Sequence, residues 1–268
     1  MKYFDQHLHS EFSVDSEEKA EAYLLKARSR GVTRFITTEH VEFDWNNENV
    51  DYVPDFSAQR ALNEVLQRKF PEIKIMQGVE IGYRTELLPR IKKLLTKNDF
   101  DLINLSVHDY KGFDMYFYDP KTVGADKMLR YNFEKIAEAA GGEIDYDVLC
   151  HVDYAFKSAY HYDKSLKIDL YEDFLKKIFS IVIERGKALE INLKVQRSIN
   201  SRGHVDYLLS LYRSLGGKYL TLSGDSHSVE DYLFSVEKYA AIIKENGFDS
   251  LRFFDHRKPF DADIDELF

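Results

Sequence analysis

Two histidines stand one residue apart near the start of the chain, in the stretch FDQHLHSEFSVD at residues 4–15. In an extended segment, residues i and i+2 point to the same side, so His7 and His9 would project together. Asp15 follows after a short polar stretch and adds a carboxylate. Imidazole and carboxylate groups together bind Zn, Mn or Fe(II), whereas a half-buried strand with polar ends would show the same His-x-His spacing without a metal. The rest of the chain must distinguish these two interpretations.

Residues of the same types recur at the ends of apolar runs along the whole chain. They are Glu39, His40, Glu80, His108, His151, Asp225 and His227. With His7 and His9, six of the nine histidines in the sequence occupy such positions. A mixed set of imidazoles and carboxylates without thiolates disfavours a closed structural zinc site. These residues outnumber the ligands of one ion, and Glu80 could bridge two ions through its two oxygens. A multinuclear site lowers the pKa of a bridging water and holds phosphate oxygens, as in metal-dependent phosphatases and nucleases.

The elements that would position these residues alternate between amphipathic helical runs and short β-like runs. A helical run such as Ala20, Tyr23, Leu24 and Ala27 stops at Gly31, where glycine supplies a left-handed cap. The strand-like runs are nearly continuous in apolar residues, as expected of strands covered on both faces. After the N-terminal run, the predicted strands are VTRFITTEH (32–40), IKIMQGVEIG (73–82), DLINLSVH (101–108), YDVLCHVD (146–153), KALEIN (187–192) and YLTLSGDSH (219–227).

About seven β–α units predict an α/β fold with a parallel sheet, either closed as a barrel or doubly wound. The number of units and the absence of a Gly-rich nucleotide loop after the first strand favour the barrel. All carboxyl ends of the strands in a parallel barrel open on one face, where barrel enzymes have their active sites. We therefore expect one site, assembled from the whole chain.

Composition limits the class of protein. The 268 residues are 44% hydrophobic and 31% charged, typical of a globular protein, and we expect a single domain over residues 1–268. Cys150 is the only cysteine, which excludes an intrachain disulfide. The sequence has no apolar run of membrane-spanning length and no secretory signal, so we expect a cytoplasmic protein without a membrane partner. The net charge of −9 argues against a nucleic-acid partner but permits an anionic small-molecule substrate, because bound metals reverse the field locally.

Several motifs together resemble those of the polymerase-and-histidinol-phosphatase (PHP) superfamily. They are HLHSEFSVD (7–15), TEH (38–40), GVEIG (78–82), SVH (106–108), CHVD (150–153) and SGDSH (223–227). The length and the H-S-x-F-S-x-D start are most similar to the monofunctional histidinol-phosphate phosphatases of histidine biosynthesis. The resemblance implies a distorted (β/α)7 barrel with a metal site at the carboxyl ends of its strands, usually with three divalent ions (Zn, Mn or Fe).

The resemblance also implies a distribution of the ligands. His7, His9, Glu80 and Asp225 would hold the first ion; Glu80, His108 and His151 would hold the second; Asp15, His40 and His227 would hold the third. It implies hydrolysis of L-histidinol phosphate to L-histidinol and phosphate, with a hydroxide that bridges the first two metals as the nucleophile. Glu80, Asp225 and His227 are then the catalytic candidates, and Asp225 is favoured over His227 as the proton donor to the leaving alcohol.

Substrate-binding residues are less clearly indicated. The stretch INLKVQRSINSRG (191–203) is predicted to be a loop that offers Lys194, Arg197 and Arg202 to the phosphate, and Arg197 is favoured because arginine binds phosphate oxygens bidentately. The imidazole and amine of histidinol call for carboxylates and aromatic rings. Candidates that follow strand ends are Glu42, Asp109, Asp153, Tyr118 and Tyr154.

Some residues of the same types are expected to have no role in the site. Cys150 alternates with His151 along a strand and is predicted to be a buried thiol. His161, His204 and His256 are predicted to lie on the surface. Two other functions stay open: a PHP phosphoesterase that acts on nucleotides or other small phosphate esters, and a non-catalytic PHP module that regulates a partner. A degenerate module would have lost ligands, whereas all nine positions here hold competent ones. The sequence does not indicate an oligomeric state.

Overall fold

The computed structural model describes residues 2–117, 119 and 122–268. Within this part of the chain, the centre of the molecule is a mostly parallel sheet of seven strands, and two short strand pairs lie outside it. The strands are β1 (Arg34–Trp45), β2 (Val50–Tyr52), β3 (Lys74–Gly82), β4 (Leu102–Ser106), β5 (Asp109–Tyr110), β6 (Phe113–Asp114), β7 (Val148–Leu149), β8 (Ala188–Asn192), β9 (Leu220–Ser223), β10 (Ser250–Asp255) and β11 (Lys258–Asp263).

The strand order in the central sheet is β2-β1-β3-β4-β7-β8-β9. β2 pairs with β1 in the antiparallel direction, and the other pairs are parallel. The strands β4, β8 and β9 are buried along their whole length, as their continuous apolar runs predict. In the β1–β3 register His40 lies opposite Glu80, so two of the predicted ligands are neighbours through backbone pairing alone. These findings confirm the α/β class with a parallel sheet.

The N-terminal segment lies between β1 and the residues that follow β9. The backbone N–H groups of His9 and Asp225 donate to the carbonyls of Ser226 and His7, both at 2.9 Å. On the other side, the N–H of Thr38 on β1 donates to the carbonyl of Leu8 at 2.8 Å. The first predicted strand is thus a single bridge residue in an extended segment. This placement holds His7 and His9 among the strand ends and leaves both side chains fully buried.

Helices cover the sheet. They are α1 (Ala20–Ser29), α2 (Phe56–Lys69), α3 (Leu88–Lys97), α4 (Ala125–Gly141), α5 (Tyr154–Tyr162), α6 (Glu172–Glu184), α7 (Leu193–Ile199), α8 (Arg202–Ser214) and α9 (Val236–Glu245). The turns after α1 and α6 place Gly31 and Gly186 at φ of 69° and 64°, the left-handed conformation that favours glycine. The apolar faces of the helices pack on the strands in one core. Among the described residues, no helix combines the length and the apolar character that a membrane span needs.

Two helices differ from the sequence-based expectation. The predicted loop after the sixth strand is wrong, because residues 193–199 form α7 and α8 begins three residues later. Asn192 ends β8 and caps α7, accepting a hydrogen bond from the N–H of Val195 at 3.0 Å. The segment after CHVD forms α5, which was also not predicted. α7 begins directly after β8, and α5 begins shortly after β7, so both helices add side chains to the rim of the predicted site.

The C-terminal hairpin of β10 and β11 was not predicted either. It pairs in the antiparallel direction from Ser250 to Asp263 and packs under the N-terminal segment, where the Phe253 ring stacks on Phe4 with centroids 4.9 Å apart. The carbonyl of Arg252 accepts from Gln6 Nε2 at 3.0 Å. These contacts fix the start of the segment that carries His7.

Candidate metal centre

Glu80 stands at the middle of the predicted ligands, at the carboxyl end of β3, and its side chain is fully buried. One carboxylate oxygen, Oε2, lies 3.2 Å from His7 Nε2, 3.5 Å from His9 Nε2 and 2.9 Å from His40 Nδ1. The other oxygen, Oε1, lies 3.2 Å from His108 Nε2 and 2.8 Å from His151 Nε2. The two oxygens thus face two different sets of imidazoles, which is the arrangement a bridging carboxylate needs.

Asp225 approaches the same point from the end of β9. Its Oδ1 atom lies 3.3 Å from His9 Nε2 and 3.9 Å from His7 Nε2. Its backbone has a φ of 50°, an uncommon conformation for a residue other than glycine. The backbone hydrogen bond to His7 and a hydrogen bond from Asn192 Nδ2 to Oδ2 at 3.3 Å hold this conformation. The strain is compatible with a side chain held for function.

Asp15 and His227 form the outer part of the cluster. Asp15 Oδ2 lies 2.9 Å from His227 Nε2 and 3.5 Å from His40 Nε2. The His9 ring stacks on the His40 ring with centroids 4.1 Å apart and lies 4.3 Å from the His227 ring. All nine predicted ligands therefore lie in one contiguous cluster at the carboxyl ends of the strands.

Five buried atoms of the cluster form no hydrogen bond of normal geometry within the described chain, although some lie close to one another, and they converge on one region. They are His7 Nε2, His9 Nε2, His40 Nδ1, Glu80 Oε2 and Asp225 Oδ1. A buried polar atom without a partner costs about 1–3 kcal/mol, so a set of five would be strongly destabilising. Divalent cations would satisfy all of them. Several groups of three, such as His7, His9 and Asp225, have ligand atoms within 4.8 Å of one another, and imidazole nitrogens with carboxylate oxygens fit Zn, Mn or Fe(II).

The electrostatics of the cluster show the same need for positive charge. Burial opposes ionisation of Glu80, yet His7, His40 and His108 hold its pKa well below the ordinary value. Burial also opposes protonation of His40, but Glu80 and Asp15 raise its pKa to about 10. In the absence of metal, protons on the imidazoles would thus balance the carboxylates, and metal binding would release them.

The second ring nitrogen of two histidines in the cluster is held by a carboxylate. His7 Nδ1 lies 2.7 Å from Glu190 Oε1, and the backbone N–H of His151 donates to Glu190 Oε2 at 2.9 Å. His108 Nδ1 lies 2.6 Å from Glu42 Oε1. Such partners fix the ring orientation and tautomer and make the other nitrogen a better metal ligand. Glu42 was expected to contact substrate; it lines the cavity, but its direct contact is with His108.

Glu190 was missed as a functional residue, and Glu39 was noted at a strand end but given no role. Glu39 is fully buried and accepts hydrogen bonds from the Ser10 and Ser13 hydroxyls, both at 2.6 Å, while Ser13 Oγ contacts His9 Nδ1 at 3.0 Å. It therefore holds the loop that carries His9. The available signal for Glu190 was a single acid within ALEIN, a strand whose residues are otherwise uncharged and all buried.

Glu190→Gln is expected to lower metal affinity about 10–100-fold, because loss of an orienting carboxylate typically has that effect. The amide keeps the shape of the side chain but no longer holds the His7 Nδ1 proton with a full charge. Metal content after dialysis against graded chelator measures the effect. The exposed Glu184→Gln, at the end of α6, serves as the control. Equal metal retention in both variants would show that Glu190 only packs.

A cavity of about 470 Å³ opens directly over the cluster. Its lining includes Asp15, His40, His108, His151, Asp225 and His227, two lysines, and several aromatic side chains. Lys194, on α7, lies with Nζ 3.0 Å from His227 Nδ1 and 3.8 Å from Asp225 Oδ1. Lys157, on α5, stands with its ammonium 4.3 Å from the centroid of the Tyr154 ring. Burial and the charge of Lys194 lower the pKa of Lys157 to about 8.

The arginines predicted to bind phosphate are not in this lining. Arg197 donates to Asp231 Oδ1 at 3.3 Å and to the Phe234 carbonyl at 3.4 Å. Arg202, at the start of α8, pairs with Asp206 and with Glu245, both at 2.7 Å. Asp206 lies four residues further along the same helix, a spacing that favours ion pairs. Because residues 193–199 form a helix, both arginines have acidic partners elsewhere and Lys194 faces the cluster.

Two of the predicted substrate carboxylates also lie outside the cavity lining. Asp153 is buried, and its Oδ2 atom accepts a hydrogen bond from Gln196 Nε2 at 2.7 Å. The same oxygen lies 2.8 Å from His204 Nε2. The surface prediction for His204 is therefore wrong, since that residue is only 6% exposed. Asp109 accepts from the backbone N–H of Gly112, and burial raises its pKa to about 6.

The remaining predictions for side chains near the site have mixed outcomes. Tyr154 lines the cavity, with its ring 5.1 Å from the His108 ring. Tyr118 lies outside the described residues. Cys150 is buried, and His161 and His256 are exposed, as predicted.

Comparison with known proteins gives consistent results. A histidinol-phosphatase of Lactococcus lactis subsp. lactis (strain IL1403) is 29% identical over 264 residues, which cover 96% of each chain. A protein of Clostridium acetobutylicum named as a probable histidinol-phosphatase is 28% identical and covers 84% of this chain and 86% of its own length. The crystal structure of histidinol phosphate phosphatase from Lactococcus lactis, complexed with zinc, L-histidinol and phosphate, has a TM-score of 0.85 at 26% identity and covers 95% of this chain and 97% of that one.

Residues 5–194 match the PHP domain family. The match begins two residues before His7 and spans more than two thirds of the 268 residues. It contains seven of the nine clustered ligand candidates; Asp225 and His227 follow it. This chain belongs to the PHP domain family.

Proposed function

We propose that this protein is a metal-dependent phosphatase that hydrolyses L-histidinol phosphate to L-histidinol and phosphate. The observation that carries the proposal is the convergence of nine imidazole and carboxylate side chains, with Glu80 at their centre, under an open cavity. The likeness to a phosphatase complexed with zinc, L-histidinol and phosphate supports the choice of substrate. With this function, the chain would act in histidine biosynthesis, in the cytoplasm.

The proposed centre is trinuclear. His7, His9, Glu80 and Asp225 would hold one ion, Glu80, His108 and His151 a second, and Asp15, His40 and His227 a third. Bound there, the ions would supply positive charge to the phosphoryl oxygens and make a hydroxide nucleophile available at neutral pH. The proposal extends to the fold: the hydrogen bonds of residues 7–9 to both β1 and the end of β9 support closure of the sheet as a distorted (β/α)7 barrel.

The chain's own residues would position the phosphate and move the proton. Lys194 and Lys157 stand on the cavity wall, and their ammonium groups would hold phosphoryl oxygens by charge-assisted hydrogen bonds. The Asp225 carboxylate would take a proton from the attacking water and deliver it to the leaving alkoxide of histidinol. His227, whose Nδ1 lies 3.5 Å from Asp225 Oδ1, is the alternative donor.

Lys157→Gln is expected to raise KM for a phosphate monoester about 10-fold, because it removes a charge-assisted hydrogen bond worth about 1.5–3 kcal/mol. The protonated ammonium binds phosphate and is lost as the pH rises through its pKa of about 8. KM of the unaltered enzyme should therefore increase from pH 7.5 to 9, and this increase should be smaller in the variant. Initial rates across this range provide the measurement.

Arg197→Gln is the matched control for Lys157→Gln, because it removes a positive charge that is paired outside the cavity. We expect its KM to stay within about twofold of the unaltered value. A KM effect in Arg197→Gln as large as that in Lys157→Gln would contradict the proposed phosphate contacts and restore the arginine as a candidate.

Phosphate release from a small panel tests the function. The panel contains L-histidinol phosphate, nucleoside monophosphates and p-nitrophenyl phosphate, assayed with and without a chelator. We expect the highest kcat/KM for L-histidinol phosphate and loss of activity on chelation. Preference for a nucleotide would identify a different phosphoesterase, and inactivity on all esters with metals bound would favour a regulatory module.

A further inference from the structure

The cavity over the metal centre has two chemically different sides. On one side, Lys194 contacts His227 and Asp225. On the other, beyond His108, the wall is formed by the β1–β2 hairpin and the end of β6. Trp45, Tyr52 and Asp114 line the cavity there, and Glu42 lies beneath them against His108. A phosphate ester with its anionic group near Lys194 would place its alcohol part on this second side.

Asp114 is held in place by hydrogen bonds, and although its charge acts on Lys157 at longer range, it forms no direct ion pair among the described residues. Its Oδ1 accepts from the backbone N–H of Tyr116 at 2.8 Å, and its Oδ2 accepts from Trp45 Nε1 at 3.4 Å. The Asp114 N–H in turn donates to Asn46 Oδ1 at 2.9 Å. Among the ion pairs of the described residues, none includes Asp114, although most carboxylates around the metal centre face imidazoles or lysine. Each carboxylate oxygen can accept a further hydrogen bond from a ligand in the cavity.

Aromatic rings stand beside this carboxylate. The Trp45 ring lies 5.4 Å from the Tyr52 ring, centroid to centroid, at an interplanar angle of 71°. The face of a tryptophan or tyrosine ring attracts cations, and a flat heteroaromatic group packs well against such a face. A carboxylate next to such rings suits a protonated amine joined to a planar ring, and it offers a neutral alcohol much less.

We propose that Asp114, with the Trp45–Tyr52 ring pair, forms the subsite for the cationic leaving group of the substrate. This subsite selects phosphate esters of amino alcohols over phosphate esters of alcohols that carry no positive charge. The inference rests on the proposed phosphatase function. The subsite acts in binding rather than in bond cleavage: the ammonium of the substrate donates to the Asp114 carboxylate, and the imidazole ring packs against Trp45.

Asp114→Asn tests the subsite with two esters. Asparagine preserves the size of the side chain and an acceptor for the Tyr116 N–H, but it lacks the charge. KM for L-histidinol phosphate should rise about 10–100-fold, as for loss of a hydrogen bond between charged groups. KM for p-nitrophenyl phosphate, whose leaving group carries no positive charge, should change less than about twofold. The exposed Asp99→Asn, at the other end of the sheet, controls for the change in net charge.

Direct binding gives a second measurement. Calorimetric titration of L-histidinol into the metal-loaded protein should show weaker binding in Asp114→Asn, by a factor similar to the rise in KM. Tyr52→Leu should also weaken the binding of L-histidinol without changing metal content. Equal KM changes for both esters, or unchanged L-histidinol binding, would overturn the inference. If the unaltered protein hydrolyses p-nitrophenyl phosphate but not L-histidinol phosphate, the proposed function itself fails. If it hydrolyses both and Asp114→Asn keeps the preference, only the subsite is refuted.

Discussion

Glu80→Gln is expected to empty most of the metal centre and to lower kcat/KM by about 10³-fold or more, since bound ions supply several kcal/mol of transition-state stabilisation. Five imidazole nitrogens lie within 3.5 Å of the two Glu80 oxygens. An amide has one oxygen and no charge, so it cannot serve both sets of histidines. Its NH₂ group would also point a donor at nitrogens that need to bind metal.

Metal analysis and kinetics on the same preparation measure this effect. The unaltered chain, isolated without chelators, should contain more than one divalent transition ion, and the variant should have lost at least one of them. Glu72→Gln, on the exposed surface before β3, is a control that changes the same residue type. A Glu80→Gln protein with full metal content and full activity would refute the bridging role.

Asp225→Asn is expected to behave differently from Glu80→Gln. Asp225 Oδ1 contacts His7 and His9 only at 3.9 and 3.3 Å, and an amide oxygen still coordinates weakly, so much of the metal should remain. The variant should nevertheless lose about 10²–10⁴ in kcat, the usual contribution of a positioned acid–base group.

The nature of the leaving group separates proton transfer from metal binding in this variant. L-histidinol phosphate releases an alkoxide that needs a proton, whereas p-nitrophenyl phosphate releases a phenolate that needs none. Asp225→Asn should therefore slow the alcohol ester more. Equal losses on both esters would mean that Asp225 is a ligand only. A leaving-group effect found in His227→Gln but not in Asp225→Asn would assign proton transfer to His227.

Local patterns in the sequence were sufficient for the fold class and for finding the clustered side chains. Alternation places His7 and His9 on one side of an extended segment, and parallel strands bring their carboxyl ends to one face whatever the loops between them do. Glu80, His108 and His151 therefore had to meet once their strands were recognised. Cys150 is buried as predicted, but β7 ends at Leu149 and His151 is buried too, so strand alternation is not the reason.

The conformation of the segments after the strands was harder to predict, because the regular apolar pattern stops at the strand ends, where the site begins. Residues 193–199 contain polar and charged side chains that are compatible with a loop, and only packing on β8 and α5 shows them to be helical. That change turns Lys194 toward the cluster and gives Arg197 an acidic partner on a segment 34 residues away. The contact between Arg197 and Asp231 could not be predicted from the residues that neighbour either of them in the sequence.

Carboxylates that hold a histidine in place could be identified only from the tertiary structure. Glu190 holds His7 across 183 residues of sequence, and Asp153 binds His204 across 51. The sequence gives the chemistry of each side chain directly. The local pattern of residues also indicates the face of a strand on which a side chain lies. Which carboxylate meets which imidazole depends on how distant elements pack, and packing is decided only when the whole core has formed.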